Sequence, residues 1–478
     1  MLFSSQKSEE FEDKIRSMII LSAWAEALGN AAEQHSCYST RGLERFIKFL
    51  EVQNIPLESF KDIKHEISGG FWKGTDHPEG SYPYTDDTRM AWLVGQALLD
   101  NKENIKILMS EVMAGKATDS LMSSIANNFI TDAEHGYGWS QAFRHPGQGC
   151  GDAIITLSSI KDAGNCPANW WNLIGNAMFT SPGSGGGCGS VMRAYPFGIF
   201  FTDPKIAACY AAQHSNITHP APMARAACAA MAYGISKALH SKETDLAEIV
   251  TKMITSANMV DDGTALKMQS AWDMGKNIRE KLNRKSLTAE NLFNAIFNHH
   301  FDLHNFEILQ LHQKFFLENW GGPADTAIAA VVYLLALSVD ADPSDLPYII
   351  RLGVAHPGDS DSIGCMIGAF MGAFYGTKAL DNPIINDVEK LEGFIPKHKE
   401  LAVFIKHINN YFHNGDAYTY DENKFVEQSK KTSYYKTEKI LSSPKNTSYI
   451  SPSRIFYLGL AALGCILIYK CLAHKYAL

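Results

Sequence analysis

What this chain of 478 residues lacks narrows its function before any motif is read. It has no basic surplus: 43 Lys and Arg stand against 51 Asp and Glu, a formal net charge of -8. There is thus no diffuse positive field for a nucleic-acid backbone, and nucleic acid is not expected as a partner. Its nine cysteines make an odd total with no CxxC pair, which points to a reducing compartment rather than a disulfide framework. The N-terminus, MLFSSQKSEEFEDK, turns polar and charged too early for a secretory segment. Alternating Val/Ile/Thr stretches are scarce, and no internal repeat of fixed period occurs. The glycine-rich stretch SPGSGGGCGSVMRAYPFG (181–198) contains neither GxxxxGK[ST] nor GxGxxG, so it fits no nucleotide-binding template. His300 and His304 have HxxxH spacing without the intervening glutamate of a zincin.

What is present is helical. From Asp13 to about Asn410, Ala, Leu, Ile and Met recur at helical spacing, as in TRMAWLVGQALL (88–99), PMARAACAAMAYGISKAL (222–239) and DTAIAAVVYLLALSV (325–339). The spacing predicts an all-α fold: one large helical domain over 13–415 after a short N-terminal extension, 1–12. Residues 416–454 are rich in Lys, Ser, Tyr, Asn and Glu without apolar periodicity and are expected to form a linker. The run IFYLGLAALGCILIY (455–469) follows between Arg454 and Lys470. Extended to 473 by a snorkelling Lys470, it is a candidate C-terminal membrane anchor, the alternative being a terminal helix docked on the body or on a partner. An anchor would hold the domain on the cytoplasmic face of a membrane.

Three stretches carry candidate chemistry. HPGDSDSIGCMIGAFMGAFYG (356–376) places Asp359, Asp361 and Ser362 at the mouth of a helix whose glycines recur every fourth residue, at Gly364, Gly368, Gly372 and Gly376. Its DxDxxG opening fails as a calcium loop, because the twelfth position from Asp359 is Phe370 rather than glutamate. YTDDTRMAW (84–92) gives a second cluster, Thr85, Asp86, Asp87 and Thr88, again before a helix. Either cluster alone reads as helix capping. A cap needs one acceptor, however, and adjacent carboxylates repel, so paired clusters suit a divalent or dinuclear metal site if the two meet. The glycine-rich stretch could present backbone N–H groups to a phosphate with Arg193 as local positive charge, or be a flexible turn.

Together DKIRSMIILSAWAEALGNAAE, YTDDTRMAW, GGGCGSVMRAYPFG, THP and GDSDSIGCMIGAFMGAFYG resemble, in order, the ADP-ribosylglycohydrolases. The resemblance covers roughly Asp13 to Gly376 and leans toward members that act on ADP-ribosyl-arginine. It implies a metal-dependent all-α hydrolase that removes ADP-ribose from modified proteins, releasing ADP-ribose. It further implies that Thr85, Asp86, Asp87, Asp359, Asp361 and Ser362 hold two Mg²⁺ or Mn²⁺ ions. Gly185, Gly186, Gly187, Cys188, Gly189 and Ser190 would line the diphosphate pocket, with Asp359 and Glu33 as the catalytic acids. Two departures stand out: Ala25-Glu26 replaces the family's usual Gly-Asp, and His356-Pro357 stands where the family commonly has a residue followed by Gly. His219 of THP matches a family position, although a lone histidine in an Ala-rich segment is more often structural. The competing class is a catalytically silent ADP-ribose-binding module, or a membrane-tethered adaptor, on the same fold.

Overall fold

The computed structural model describes residues 5–36, 85–110, 115–134, 147–164, 166–177, 184–241, 245–297, 306–356, 358–379 and 399–413. All belong to one unit, Met1–Leu441. The expected linker and the candidate anchor at 455–473 lie outside the described residues, as do His300 and His304. Among the described residues no helix is long and apolar enough to cross a membrane.

The all-α expectation holds: the described residues carry helices and a single isolated bridge, with no strand. The helices are α1 (Ser5–Ser36), α2 (Asp86–Asp100), α3 (Lys102–Ser110), α4 (Gly115–Glu134), α5 (Gln148–Asp162), α6 (Ile174–Ala177), α7 (Tyr195–Phe200) and α8 (Pro204–Ser215). They continue as α9 (Pro222–His240), α10 (Leu246–Asn258), α11 (Asp262–Arg284), α12 (Ala289–Phe297), α13 (Phe306–Glu318), α14 (Ala324–Ser338), α15 (Leu346–Val354), α16 (Ser360–Tyr375) and α17 (Lys399–His413). Helix α1 begins inside the residues read as an N-terminal extension.

The core is built around helices that are apolar on every side. All of α14 is buried, from Ala324 to Ser338, and Ala224 to Ser236 of α9 are buried without interruption. Such helices must lie between others, because a helix with no polar face has none to give to water. The closest packing joins α1 and α16, which run antiparallel through the glycine row. A Cβ at Gly364 would fall 2.4 Å from the Ala25 carbonyl oxygen, one at Gly368 2.3 Å from that of Leu21, and one at Gly372 2.3 Å from the Met18 Cα. Gly29 answers from α1, where a Cβ would meet the Ser360 carbonyl at 2.3 Å. Backbone lies on backbone along this seam, and the Ser360 hydroxyl donates to the Gly29 carbonyl at 2.8 Å. The seam fixes where α1 carries Glu26 relative to the start of α16.

Candidate active site

Helix α2 starts at Thr85, yet the Thr85 side chain makes no cap hydrogen bond. Glu26, reaching across from α1, does the capping instead. Its Oε1 accepts from the Thr85 N–H and the Thr85 hydroxyl, both at 2.5 Å. Its Oε2 accepts from the Thr88 N–H at 3.1 Å and from the Thr88 hydroxyl. Two orphan amides of the helix start are thereby satisfied by a carboxylate more than fifty positions earlier in the chain. Burial raises the Glu26 pKa to about 7, against the pull of these four donors. The substitution that departs from the family motif is thus the residue that shapes the TDDT turn.

With the cap supplied by Glu26, the aspartates of TDDT are released from that duty. Asp87 is buried, and its Oδ1 has no hydrogen-bond partner. Its pKa lies well above the carboxylate range, first because it is desolvated and then because Glu26, Asp86 and Asp359 repel its charge. The Ser362 hydroxyl at the start of α16 works against this rise from across the cluster, and the Thr85 hydroxyl stands 3.3 Å from the Asp87 Oδ2. The two clusters that lie far apart in sequence therefore meet. At α16, Asp359 occupies the N-cap position and also makes no side-chain cap hydrogen bond. Its N–H donates to the Trp320 carbonyl at 2.7 Å. Gly321, at φ +98°, turns the chain beneath it, where any Cβ would fall 2.9 Å from the Asp359 carbonyl. Asp361 accepts from the Ser362 N–H at 2.8 Å.

The donor set fits a hard divalent cation. It consists of carboxylates and hydroxyls, it holds like charges together in a buried place, and it includes an orphaned carboxylate oxygen at Asp87. The cluster is one of carboxylates with Thr and Ser hydroxyls; among the described residues no three His, Cys, Asp or Glu groups converge by themselves as a metal cage.

The glycine-rich stretch is pinned rather than loose. Gly187 forms the isolated antiparallel bridge with Pro323, framed by Cys188 N–H to the Gly322 carbonyl and Ala324 N–H to the Gly186 carbonyl, both 2.9 Å. Gly185, at φ +71°, accepts from the Ala221 N–H at 3.3 Å. The Cys188 amide is thereby engaged and is not one of a row of N–H groups offered to a phosphate. Its thiol reaches the metal-site candidates instead, 2.9 Å from Asp359 Oδ2 and 3.6 Å from the Ser362 hydroxyl. Ser190 turns inward, its hydroxyl 2.8 Å from that of Ser215 and accepting from Cys228 at 3.3 Å.

Arg193 does not serve the glycine loop. It is fully buried, with Nε on His214 Nε2 at 3.1 Å, one terminal nitrogen on Thr218 Oγ1 at 2.5 Å, the other on the Met90 and Cys150 sulfurs at 3.4 Å, and the guanidinium over Phe129. Its work is to order the neighbours of the loop. The Thr218 hydroxyl accepts from Arg193 and pairs with His219 Nδ1 at 2.8 Å, so the guanidinium fixes the ring through Thr218. That ring is the floor of the glycine loop: a Cβ at Gly189 would fall 2.8 Å from it, one at Gly187 3.4 Å. Burial, then the Arg193 charge, lower the His219 pKa to about 3, so the ring is neutral. His356 braces the turn before Asp359 by stacking on Phe316 at 4.5 Å, its Nε2 donating to the Gly353 carbonyl at 2.9 Å while Nδ1 accepts from the Gly358 N–H at 3.1 Å. Glu33 lies on α1, seven residues beyond Glu26; its side chain is outside the described residues.

The ADP-ribosylglycohydrolase family profile matches residues 7–415, and this chain belongs to that family. A comparison with curated proteins finds no match. Among solved structures the chain is similar to one described as an ADP-ribosylglycohydrolase-related protein complex, with a TM-score of 0.45 and 16% identity over 84% of this chain and 99% of that one. The family is one of glycohydrolases, which supports hydrolysis of ADP-ribose linkages by this chain.

Proposed function

We propose that this chain removes ADP-ribose from modified arginine side chains of proteins by cleaving the N-glycosidic bond, with two Mg²⁺ or Mn²⁺ ions. The observation that carries the reading is the meeting of two carboxylate clusters, at the starts of α2 and α16, neither of whose N-cap side chains caps its own helix. Thr85, Asp86, Asp87, Asp359, Asp361 and Ser362 would hold the ions, which when bound supply Lewis acidity and an activated water.

The chain's own groups do the rest. Glu26 accepts the hydrogen bond of the Thr85 hydroxyl, which turns that oxygen's lone pairs away from Glu26 and leaves them for a cation. Asp359, fixed through its backbone by Trp320 and through Oδ2 by Cys188, is the group to accept a proton from water as it attacks the anomeric carbon. Negative charge gathered at Asp87 and Asp359 stabilises the positive charge that develops on the sugar. The glycine loop, whose Gly187 and Gly189 lie against the His219 ring with no room for a Cβ at Gly189, would line the diphosphate pocket. Residues 455–473 would hold the enzyme at the cytoplasmic face of a membrane; the support for this is the apolar run between Arg454 and Lys470 after a polar linker.

The test is release of free ADP-ribose from ADP-ribosyl-arginine and ADP-ribosyl-serine peptides, each with Mg²⁺ and with chelator. Metal-dependent release from the arginine peptide alone is expected. Release from serine alone would overturn the linkage, and ADP-ribose binding without release from either would make the chain a silent binding module.

A further inference from the structure

Cys188 opens the short 3₁₀ turn Cys188–Ser190, and its main chain has little freedom. Its N–H is tied to Gly322, and the next residue, Gly189, lies against the His219 ring. Its side chain is buried, with Sγ 2.9 Å from Asp359 Oδ2, and a carboxylate at that distance can only accept, so the thiol is the donor. Across the cluster, Asp87 is buried and keeps an oxygen without any partner. The protein thus binds one oxygen of the Asp359 carboxylate with a weak, soft donor and leaves one oxygen of the neighbouring Asp87 carboxylate without a partner.

We infer that Cys188 is a positioning residue: its thiol holds Asp359 Oδ2 so that this carboxylate keeps one orientation beside Asp87, ready for a divalent cation. The inference rests on the cation reading of the proposed function. A carboxylate with two free oxygens would rotate and would lose that freedom on binding the ion, whereas one already held does not. A merely space-filling Cys188 would do none of this, and its removal would change stability alone.

The experiment is Mn²⁺ binding to the full-length protein, read by electron paramagnetic resonance of free Mn²⁺, in wild type, Cys188→Ala and Cys188→Ser, with metal-free thermal melting of each. Loss of an outer-shell partner typically weakens metal binding by about 10–100-fold, so Cys188→Ala should bind Mn²⁺ at least about tenfold more weakly. Cys188→Ser keeps a donor and should recover most of that loss while melting close to wild type. Equal Mn²⁺ affinity in wild type and Cys188→Ala would overturn the inference alone. So would a folded Cys188→Ser that binds as weakly as the alanine variant. Absence of Mn²⁺ binding by wild type would overturn the cation reading and this inference with it.

Discussion

Replacing Gly368 by alanine tests the seam that positions the site. Carbon atoms settle at about 3.5 Å or more from their neighbours, and the Leu21 carbonyl leaves a new Cβ at Gly368 only 2.3 Å. Because the obstructing atom is backbone, no rotamer change relieves the clash, and α1 and α16 must part by about 1 Å. Overpacking of this kind costs about 1–3 kcal/mol, here toward the upper end, and the better helix propensity of alanine returns about 1 kcal/mol. The net expectation is a loss of about 2 kcal/mol. Gly149 in α5 is the control, because nothing lies within 4 Å of a Cβ there. Gly149→Ala should gain up to about 1 kcal/mol. Urea unfolding of both variants, metal-free and at one pH, gives the comparison. If Gly368→Ala is as stable as Gly149→Ala, the two helices do not pack backbone to backbone and the reasoning fails.

Three further outcomes follow from the site and its surroundings. Glu26→Ala strands four donors of Thr85 and Thr88 and should cost at least about 3 kcal/mol in urea unfolding; a loss under about 1 kcal/mol would mean that the α2 turn does not depend on Glu26. Asp87→Asn removes a buried carboxyl group whose ionised form is opposed first by desolvation and then by three neighbouring carboxylates, so the metal-free protein should gain about 1 kcal/mol or more while ADP-ribose release falls by about two orders of magnitude; a destabilised but active variant would contradict a cation site at Asp87. His312 is buried against Tyr333, with burial holding its pKa at about 3, so the native state stays neutral while the unfolded chain takes up a proton near pH 6.5. Its stabilisation is complete above that pH and is lost as pH falls from about 6.5 toward about 3. In His312→Phe the fall in stability between pH about 7.5 and about 5.5 should be smaller by about 1.4 kcal/mol, measured as the difference between urea titrations at the two pH values; an unchanged difference would refute a neutral buried His312.

The helical class and the glycine seam were legible because both are local patterns: apolar residues at helical spacing, and Gly364, Gly368 and Gly372 on one face. The motifs at Asp86 and Asp359 were legible as types of residue at helix starts. Their convergence was not, since it depends on how α1, α2 and α16 pack, which no spacing encodes. Glu26 read as a departure from a motif, whereas its carboxylate reaches the α2 amides and takes over their capping. Arg193 read as charge for a phosphate because it follows a glycine-rich stretch; the short turn at Cys188–Ser190 and the α7 start carry it into the interior instead, against His214 and Thr218. The same turn sends Cys188 toward Asp359 and Ser190 away from the loop surface. One signal in the sequence did point to Glu26: an acid replaced by a longer acid in an otherwise apolar helix face needs partners if it is buried.

The most direct test of the account is the rate of ADP-ribose release from an ADP-ribosyl-arginine protein by wild type and by Asp359→Asn, with Mg²⁺ present and the fold of both checked by thermal melting. The two-cluster hydrolase site predicts a fall of at least about two orders of magnitude in a variant that still folds. Near wild-type release by Asp359→Asn would contradict it.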